Sequence, residues 1–502
     1  MKKRNRRGGR PDAGTSRVSR ERPLERGAVF ELEITRMALD GDALGTVGDY
    51  VVFVEGTIPG ERVQVRALSA SRKFARAKLL RVVRPSPHRI APRCRHFGPC
   101  GGCTWQHISY GEQLRLKESM LSSILAHALG KAPGVRYALG IEDDSIGGGS
   151  SGAGGPWGFR NKVHFVLGRE KARDLVMGHY QRRSRSILEI EECPVHSERG
   201  NRVAFRIREL LEKYRIPGTE EETPGGATGR GEARHGMAAH GAARHIVIRV
   251  SEATSRARAT LVVTDRRVPR LAQLAHELER GPDAPYALHL NVHDRPGPFL
   301  FGPFTTRVYG DDRLEEKVAG ATFLVSPKAF FQTSVRSAAK LVEVVLGFVP
   351  QGEEGPILDL YAGAGLFSIP LARRGERVTA VEENPVAVRD GVASLKASGV
   401  DGDTCRFIQG RVEDVLRDLP RRFGTVILDP PREGCPPSVL EGILRGLRPA
   451  RILYVSCNPR ALASELGQMV QRGYAISEVQ PVDMFPHTAH IEAVALLECQ
   501  EP

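Results

Sequence analysis

Residues 356–375, PILDLYAGAGLFSIPLARRG, join an apolar, strand-like segment to a helical pattern through a short turn that contains glycine. Gly363 and Gly365 allow a tight turn in which a ligand can approach the backbone near the N-terminus of a helix. The third glycine of the dinucleotide-binding fingerprint is missing, because Phe367 and Ser368 occupy its region. The stretch therefore predicts the first strand, turn and helix of a nucleotide-binding α/β fold that does not hold a pyrophosphate.

An acidic pair, Glu382 and Glu383, follows the next strand-like segment, RVTAV at 377–381. A carboxylate at this position binds ribose hydroxyls in folds of this class. The pair therefore predicts a nucleoside cofactor, and S-adenosylmethionine satisfies both this requirement and the missing glycine. The alternative is an ordinary glycine turn followed by a surface acid.

Strand-like and helix-like patterns alternate from about residue 325 to the end of the chain. This alternation predicts a doubly wound, largely parallel sheet with crossover helices, in which a ligand binds beyond the carboxyl ends of the strands. Residues 110–129, YGEQLRLKESMLSSILAHAL, predict a separate helix upstream.

Residues 28–84 consist of short alternating segments separated by Gly and Asp turns, which predicts a small β-barrel. Small basic barrels commonly track nucleic-acid backbones, although a solvated sheet face would have the same composition. The basic flank of this barrel comprises Arg62, Arg66, Arg72, Lys73, Arg76 and Lys78.

The whole chain is basic, with a formal net charge of +14 and a pI near 9.6, which favours a polyanionic partner such as nucleic acid. Residues 1–26 resemble the charged start of a signal peptide but lack the apolar region that would follow, and no apolar run is long enough to span a membrane. We expect a cytoplasmic protein with a disordered basic tail at 1–26. Low-complexity stretches near 145–156 and 217–244 predict flexible surface insertions.

Four of the eight cysteines form the pattern C-x5-C-x2-C with one distant thiol: Cys94, Cys100, Cys103 and Cys193. Clustered thiols in a chain without a secretory signal more often hold a metal than form disulfides. Four thiolates fit a tetrahedral zinc site or an iron-sulfur cluster, and the spacing mildly favours the cluster.

The residues predicted to form the active site follow the ends of two strands. Asp429 ends the strand of VILDPPREGC and is followed by Pro430 and Pro431, which force a rigid, extended exit. Cys457 follows the next strand, in ILYVSCNPRA, and a thiol on the ligand-binding edge can act as a nucleophile.

One class of methyl transfer needs such a thiol. Carbon 5 of a pyrimidine is a poor nucleophile until a thiolate adds to carbon 6, and a base must later remove the hydrogen at carbon 5 so that the thiolate can leave. Glu492, in FPHTAHIEAVALLE, is the best-placed carboxylate for this base, although an isolated Glu is usually solvated.

The motifs LDLYAGAGLFS, DPPREG, SCNP and HIE, in this order and at these spacings, resemble the RNA uridine-5-methyltransferase family, which makes 5-methyluridine in transfer and ribosomal RNA. The resemblance covers nearly the whole chain. It implies an RNA-binding TRAM domain of the OB-like type at the barrel and a [4Fe-4S] cluster, held by the four clustered cysteines, in a central α+β domain. It also implies a C-terminal Rossmann-like class I methyltransferase domain.

The resemblance also implies roles for single residues. Cys457 would be the nucleophile and Glu492 the base. The contacts to S-adenosylmethionine would come from Gln332, Tyr361, Glu382 and Asp429. Leu366 stands where the family often has a polar residue, so no contact is assigned to it.

The expected organisation is a basic tail at 1–26, a barrel at 27–85, a central domain at 86–324 and a methyltransferase domain at 325–502. We expect a monomer that methylates a specific uridine in structured RNA, with ribosomal RNA favoured over transfer RNA. The Gly-rich insertions have no counterpart in the family pattern.

Three alternatives remain open on the sequence. An RNA cytosine-5 methyltransferase is the first, because Cys435 follows the diproline and enzymes of that class use cysteines in both loops. Glu492 and the cysteine cluster favour uridine. A non-catalytic iron-sulfur RNA-binding protein predicts a degraded cofactor loop or a missing nucleophile, and neither is seen; a nicotinamide oxidoreductase is disfavoured by the incomplete glycine fingerprint.

Overall fold

The computed structural model of the chain describes residues 24–131, 133–141, 156–170, 173–220, 241–294, 300–352, 355–420 and 423–500. Most of the predicted basic tail and most of the two predicted insertions lie outside these ranges. Within them, no helix is long and apolar enough to cross a bilayer. The chain divides into two compact units, of which the first contains Asp42–Pro87 and the chain up to Ala38.

The first unit is the predicted small β-barrel, and the strands close in the order β1-β2-β3-β5-β4, with β4 pairing back to β1. Alternate side chains such as Leu32, Ile34, Val63 and Val65 are buried inside it. Gly45 is required where β2 meets β1, because a Cβ there would lie 2.1 Å from the carbonyl oxygen of Glu33. The strands are β1 Val29–Met37, β2 Ala43–Val47, β3 Tyr50–Val54, β4 Arg62–Ala70 and β5 Phe74–Arg84.

The second unit, Leu39–Gly41 and the chain from His88, begins with the predicted helix, α1 Tyr110–Leu129. A mixed sheet follows, in the order β13-β12-β11-β10-β6-β7-β8, and β9 pairs with β6. Two helices cover one face of this sheet and share a buried apolar core with it. The elements are β6 Lys162–Glu170, β7 Arg173–Tyr180, β8 Ile187–Glu189, α2 Glu198–Lys213, β9 Thr219–Glu220, β10 Ala243–Val250, β11 Ala257–Val263, α3 Leu271–Arg280, β12 Ala287–Val292 and β13 Phe304–Tyr309.

A hairpin, β14 Leu314–Val318 and β15 Ala321–Val325, connects this sheet to the last part of the chain. Its inward residues Val318, Phe323 and Val325 belong to the apolar core of the C-terminal sheet. That core therefore takes in residues on the N-terminal side of position 325.

The C-terminal part confirms the predicted doubly wound sheet. Strand order is β18-β17-β16-β19-β20-β22-β21; β22 pairs antiparallel with both β20 and β21, and the other described pairs of this sheet are parallel. The order reverses between β16 and β19, which creates a crevice at their carboxyl ends. The elements are α4 Val335–Phe348, β16 Ile357–Leu360, α5 Ser368–Arg373, β17 Val378–Glu382, α6 Pro385–Ala397, β18 Cys405–Gln409, α7 Val412–Asp418, β19 Thr425–Leu428, α8 Pro437–Glu441, a π-helical segment Gly442–Leu447, β20 Arg451–Ser456, α9 Pro459–Gln471, β21 Tyr474–Val482 and β22 Glu492–Cys499.

Candidate active site

The antiparallel register of β22 brings Cys457 and Glu492 together. Ser456, the last residue of β20, pairs with Ala493. One position further along the same pairing, Cys457, which directly follows β20, is opposite Glu492, the first residue of β22. A thiol and a carboxylate separated by 35 positions in sequence therefore face the same pocket at the carboxyl edge of the parallel strands.

The glycine turn after β16 has the conformation that the sequence predicts. Gly363 and Gly365 both have positive φ angles, of 57° and 87°, and Tyr361 has a φ of 64°, which is rare for a side chain of this size. The carboxylate of Glu382, at the end of β17, accepts hydrogen bonds from the backbone amides of Gly363 at 2.9 Å and Asn384 at 2.8 Å. Glu382 thus ties the turn to the adjacent strand end.

A cavity of about 890 Å³ lies over these strand ends. Its volume suits a nucleoside cofactor together with part of a substrate. The cavity brings together all six residues predicted for catalysis and cofactor binding, Gln332, Tyr361, Glu382, Asp429, Cys457 and Glu492. The hydroxyl of Tyr361 is buried there without a hydrogen-bond partner, so a polar group of a bound ligand can satisfy it.

Three buried acids at this site have raised pKa values: Asp359, and the pocket residues Asp429 and Glu492. Burial raises the pKa of Asp359 to about 7 and that of Asp429 to about 7, and the charge of Asp359 adds to the shift of Asp429. Burial also raises the pKa of Glu492 well above its usual range, with a further contribution from Asp429, whereas Arg432 lowers it. The site therefore holds carboxyl groups that can carry a proton near neutral pH.

The Cys457 thiol has a raised pKa for the same reason. Burial is the largest cause and the charge of Glu492 is the second, while Arg432 opposes both. The loop that carries the thiol is held by Asn458, whose side chain caps α9 and donates a hydrogen bond of 2.8 Å to the carbonyl oxygen of Arg432. This hydrogen bond joins the SCNP loop to the DPPREG loop.

Cys435 has a different environment from Cys457. It is 8% exposed, and its backbone amide donates to the Glu465 carboxylate at 3.0 Å. The same carboxylate accepts a hydrogen bond of 2.6 Å from the hydroxyl of Tyr454. Cys435 is therefore packed behind the pocket wall that its neighbours Gly434 and Pro436 line.

Several pocket residues were missed by the sequence reasoning, namely Phe330, Phe331, Arg432 and Phe485. Phe330 is 69% exposed, which is unusual for an aromatic side chain beside a buried one. Two of these residues adjoin Gln332 in the sequence, and Arg432 follows the diproline, so proximity to the assigned residues was the only available signal. Leu366 also lines the pocket.

The four clustered cysteines also come together in the structure. Cys103 and Cys193 share a small buried cluster with Ile141 and Phe159. Burial raises the pKa of all four thiols, and charge on neighbouring cysteines adds to the shifts of Cys100, Cys103 and Cys193, the last of which reaches about 12.

Other groups surround this thiol cluster. Arg160 lies near enough to lower the pKa values of Cys100, Cys103 and Cys193. The ligand atoms of His179, Cys193 and His196 lie within 4.8 Å of one another. A cluster of four thiols with an adjacent cation suits the donor set of an anionic thiolate-bound metal centre.

Comparisons with known proteins identify the family to which this chain is similar. A family model described as tRNA (Uracil-5-)-methyltransferase matches residues 309–500, and a TRAM domain model matches residues 23–80. An uncharacterized RNA methyltransferase of Gloeobacter violaceus is 34% identical over 95% of this chain and 99% of its own length. One from Thermosynechococcus vestitus is 32% identical over 94% of this chain and 98% of its own.

Among solved structures, the chain is similar to that of the Pyrococcus abyssi tRNA (uracil-54, C5)-methyltransferase in complex with S-adenosyl-L-homocysteine. The two share 25% identity with a TM-score of 0.70, over 93% of this chain and 100% of the other. The similarity therefore extends through both compact units and is not confined to the C-terminal sheet.

Proposed function

Because the chain belongs to the RNA uracil-5-methyltransferase family and is an S-adenosylmethionine-dependent enzyme, we propose that it methylates carbon 5 of a specific uridine through a covalent adduct with Cys457. The observation that carries this proposal is the register of β20 and β22, which sets a thiol opposite a carboxylate at the floor of the cofactor pocket.

The cofactor residues are the first part of the proposal. Glu382 would accept hydrogen bonds from the ribose hydroxyls, and Tyr361, Gln332 and Asp429, which line the same pocket, would make further contacts to the cofactor. S-adenosylmethionine, when bound, supplies an electrophilic methyl group on a sulfonium sulfur. The unpartnered Tyr361 hydroxyl and the glycine turn support this binding mode.

The catalytic steps need two groups of this chain. The thiolate of Cys457 adds to carbon 6 of uracil, which moves the ring electrons toward carbon 5 and makes that carbon nucleophilic. After carbon 5 is methylated, the carboxylate of Glu492 removes its hydrogen as a proton. The electrons of that C–H bond restore the C5–C6 double bond, the C6–S bond breaks, and the thiolate leaves.

The test uses RNA that contains 5-fluorouridine, since the enzyme cannot remove fluorine as a proton and the adduct persists. We expect a protein–RNA complex that survives denaturation, is formed only with S-adenosylmethionine, and disappears in Cys457→Ala. Glu492→Gln should instead accumulate the adduct on ordinary uridine RNA. Absence of adduct in the unaltered protein, despite binding of RNA and cofactor, would refute covalent catalysis.

The RNA substrate is the next part. We propose a structured RNA; the sequence favoured ribosomal RNA, whereas the solved P. abyssi relative is named for uracil 54 of tRNA. Mapping of 5-methyluridine in cells with and without the gene decides between them, because the lost modification identifies the substrate. In the barrel, Arg66, Arg72, Lys73 and Lys78 are exposed and available to RNA phosphates.

We further propose that Cys94, Cys100, Cys103 and Cys193 hold a [4Fe-4S] cluster that stabilises the fold or positions RNA, since the proposed methyl transfer has no redox step. The packing of Cys103 against Cys193 in one buried cluster supports this site, as does Arg160, which lies near three of the four thiols. Cys100→Ser should lose iron and visible absorbance, whereas Cys499→Ser should retain both. A Cys100→Ser protein that is folded, free of iron and fully active would refute the role.

We propose a separate function for each of the three expected domains. Residues 27–85 would contact RNA, residues 86–324 would carry the cysteine site and further RNA contacts, and residues 325–502 would bind the cofactor and perform the chemistry. Limited proteolysis that releases a folded 27–85 fragment able to bind RNA would support the first boundary.

A further inference from the structure

Residues 483–491 connect β21 to β22 and lead directly to Glu492. Phe485, in this connection, and Glu492, at its end, both line the cofactor pocket. The position of the carboxylate at the start of β22 therefore depends on how the preceding residues are held.

Helix α1 holds this connection at two points. Lys117 donates to a carboxylate oxygen of Asp483 at 2.6 Å and to the carbonyl oxygen of Phe485 at 3.0 Å. One turn earlier on the same helix face, the side-chain oxygen of Gln113 accepts a hydrogen bond of 2.8 Å from the backbone amide of His487. These side chains are buried, so the contacts form in a water-excluded interface.

His487 is the most constrained residue of the connection. Its φ is 63°, a left-handed conformation that a non-glycine residue keeps only when its surroundings enforce it. Its carbonyl oxygen accepts hydrogen bonds of 2.9 Å from the amides of both Thr104 and Trp105, which directly follow Cys103. The cysteine-containing loop and helix α1 thus hold the same residue.

The imidazole of His487 is also fixed. Its Nε2 lies 3.1 Å from the carbonyl oxygen of Pro156, which can only accept, so Nε2 carries the hydrogen. Its Nδ1 is then the acceptor for the Gln113 amide nitrogen at 3.3 Å. The ring stacks on Trp157 with centroids 4.2 Å apart. We call this set of contacts to the backbone and ring of His487 the His487 seat.

We propose that Gln113 is a positioning residue for proton removal, which acts through His487 to set Glu492 against carbon 5 of the methylated pyrimidine. The inference rests on the proposed roles of Cys457 and Glu492. In the affected step Glu492 takes the proton from carbon 5, the C5–C6 double bond forms, and the C6–S bond to Cys457 breaks. Addition of Cys457 to the ring needs no proton acceptor at carbon 5, so the positioning of Glu492 should affect it much less, through the charge near the thiol alone.

The experiment separates the two steps in Gln113→Leu. Adduct formation with 5-fluorouridine RNA reports the addition of Cys457 and methyl transfer, and release of methylated ordinary RNA reports proton removal. We expect the adduct rate to stay within about twofold of the unaltered enzyme and release to fall by about 10- to 100-fold, because small misplacements of a catalytic group have effects of this size. The covalent adduct should also accumulate on ordinary uridine RNA.

Two further variants keep the test decisive. His487→Asn loses the ring contacts but tolerates the left-handed backbone, so it tests the same seat if Gln113→Leu does not fold. Leu125→Ala alters a buried apolar side chain twelve residues further along α1 and serves as the control for general destabilisation of the helix. It should slow neither step selectively.

The outcomes are distinguishable. Selective loss of release in Gln113→Leu or His487→Asn supports the inference. A parallel fall in adduct formation and release, or an unchanged release rate in the folded variants, overturns it. Failure of the unaltered enzyme to form any adduct with 5-fluorouridine RNA refutes the covalent mechanism itself, whatever the variants do.

Discussion

Glu492 raises the pKa of the Cys457 thiol from the neighbouring strand of the same sheet, second in effect only to burial. The two groups are therefore coupled before any substrate arrives. A thiol with a raised pKa is protonated at neutral pH, and a carboxyl with a raised pKa keeps its own proton longer. Burial therefore favours the protonated form of both groups, whereas the proposed reaction uses each in its deprotonated form.

The first prediction concerns the pH dependence of adduct formation. Because the pKa of Cys457 is raised, the thiolate fraction below that pKa grows by about tenfold per pH unit, and the adduct rate with 5-fluorouridine RNA should rise with pH through the neutral range. Rapid-quench sampling on denaturing gels measures the rate. At alkaline pH, Glu492→Gln should form adduct faster than the unaltered enzyme, because it lacks the negative charge. A flat profile would contradict the assigned electrostatics.

The second prediction concerns Glu382. Its replacement by Ala removes the acceptor for the amides of Gly363 and Asn384 and the expected partner of the ribose hydroxyls. Hydrogen bonds to a charged acceptor contribute about 1.5–3 kcal/mol, so the Kd for S-adenosylmethionine should rise by about 10- to 100-fold. Titration calorimetry measures this change. Glu441→Gln, whose side chain is 59% exposed at the end of α8, is the charge-matched control and should bind normally.

The sequence predicts a feature of this structure well when neighbouring residues specify that feature, and poorly when residues far apart in the chain do. The ILDL strand at 357–360 and the helix at 110–129 have the predicted bounds, because each is specified by its own apolar pattern. The six pocket residues were predicted because strand ends of a parallel sheet meet at one edge. The hydrogen bond between Gln113 and His487 was not predictable, because the two residues are 374 positions apart and no local pattern pairs them.

The third prediction distinguishes the two cysteines near the pocket. Cys457→Ala should abolish methyl transfer and adduct formation, whereas Cys435→Ala should retain both. Cys435 is buried against Glu465, so its loss should cost only about 1 kcal/mol of unfolding free energy from a small cavity. Activity assays and urea unfolding measure the two effects. An inactive but folded Cys435→Ala protein would favour the two-cysteine chemistry of cytosine-5 enzymes.

The last prediction concerns the ion pair between Lys117 and Asp483, which joins helix α1 to the connection before Glu492. Its side chains are 2% and 0% exposed, and the nitrogen–oxygen distance is 2.6 Å. Arg136 and Glu478 have the same separation, but their side chains are 55% and 32% exposed. The two pairs therefore differ mainly in how much water surrounds them.

Lys117→Met should lower the free energy of unfolding by about 3–5 kcal/mol, because it leaves the Asp483 carboxylate buried without a counter-ion. Arg136→Met should lower it by no more than about 1 kcal/mol, because water screens the exposed pair. Chemical denaturation of both variants measures the difference. The double variant Lys117→Met/Asp483→Leu should recover part of the loss, since no unpaired charge remains, although the amide of Phe485 still loses its acceptor. Equal losses for Lys117→Met and Arg136→Met would show that burial does not control the strength of this contact.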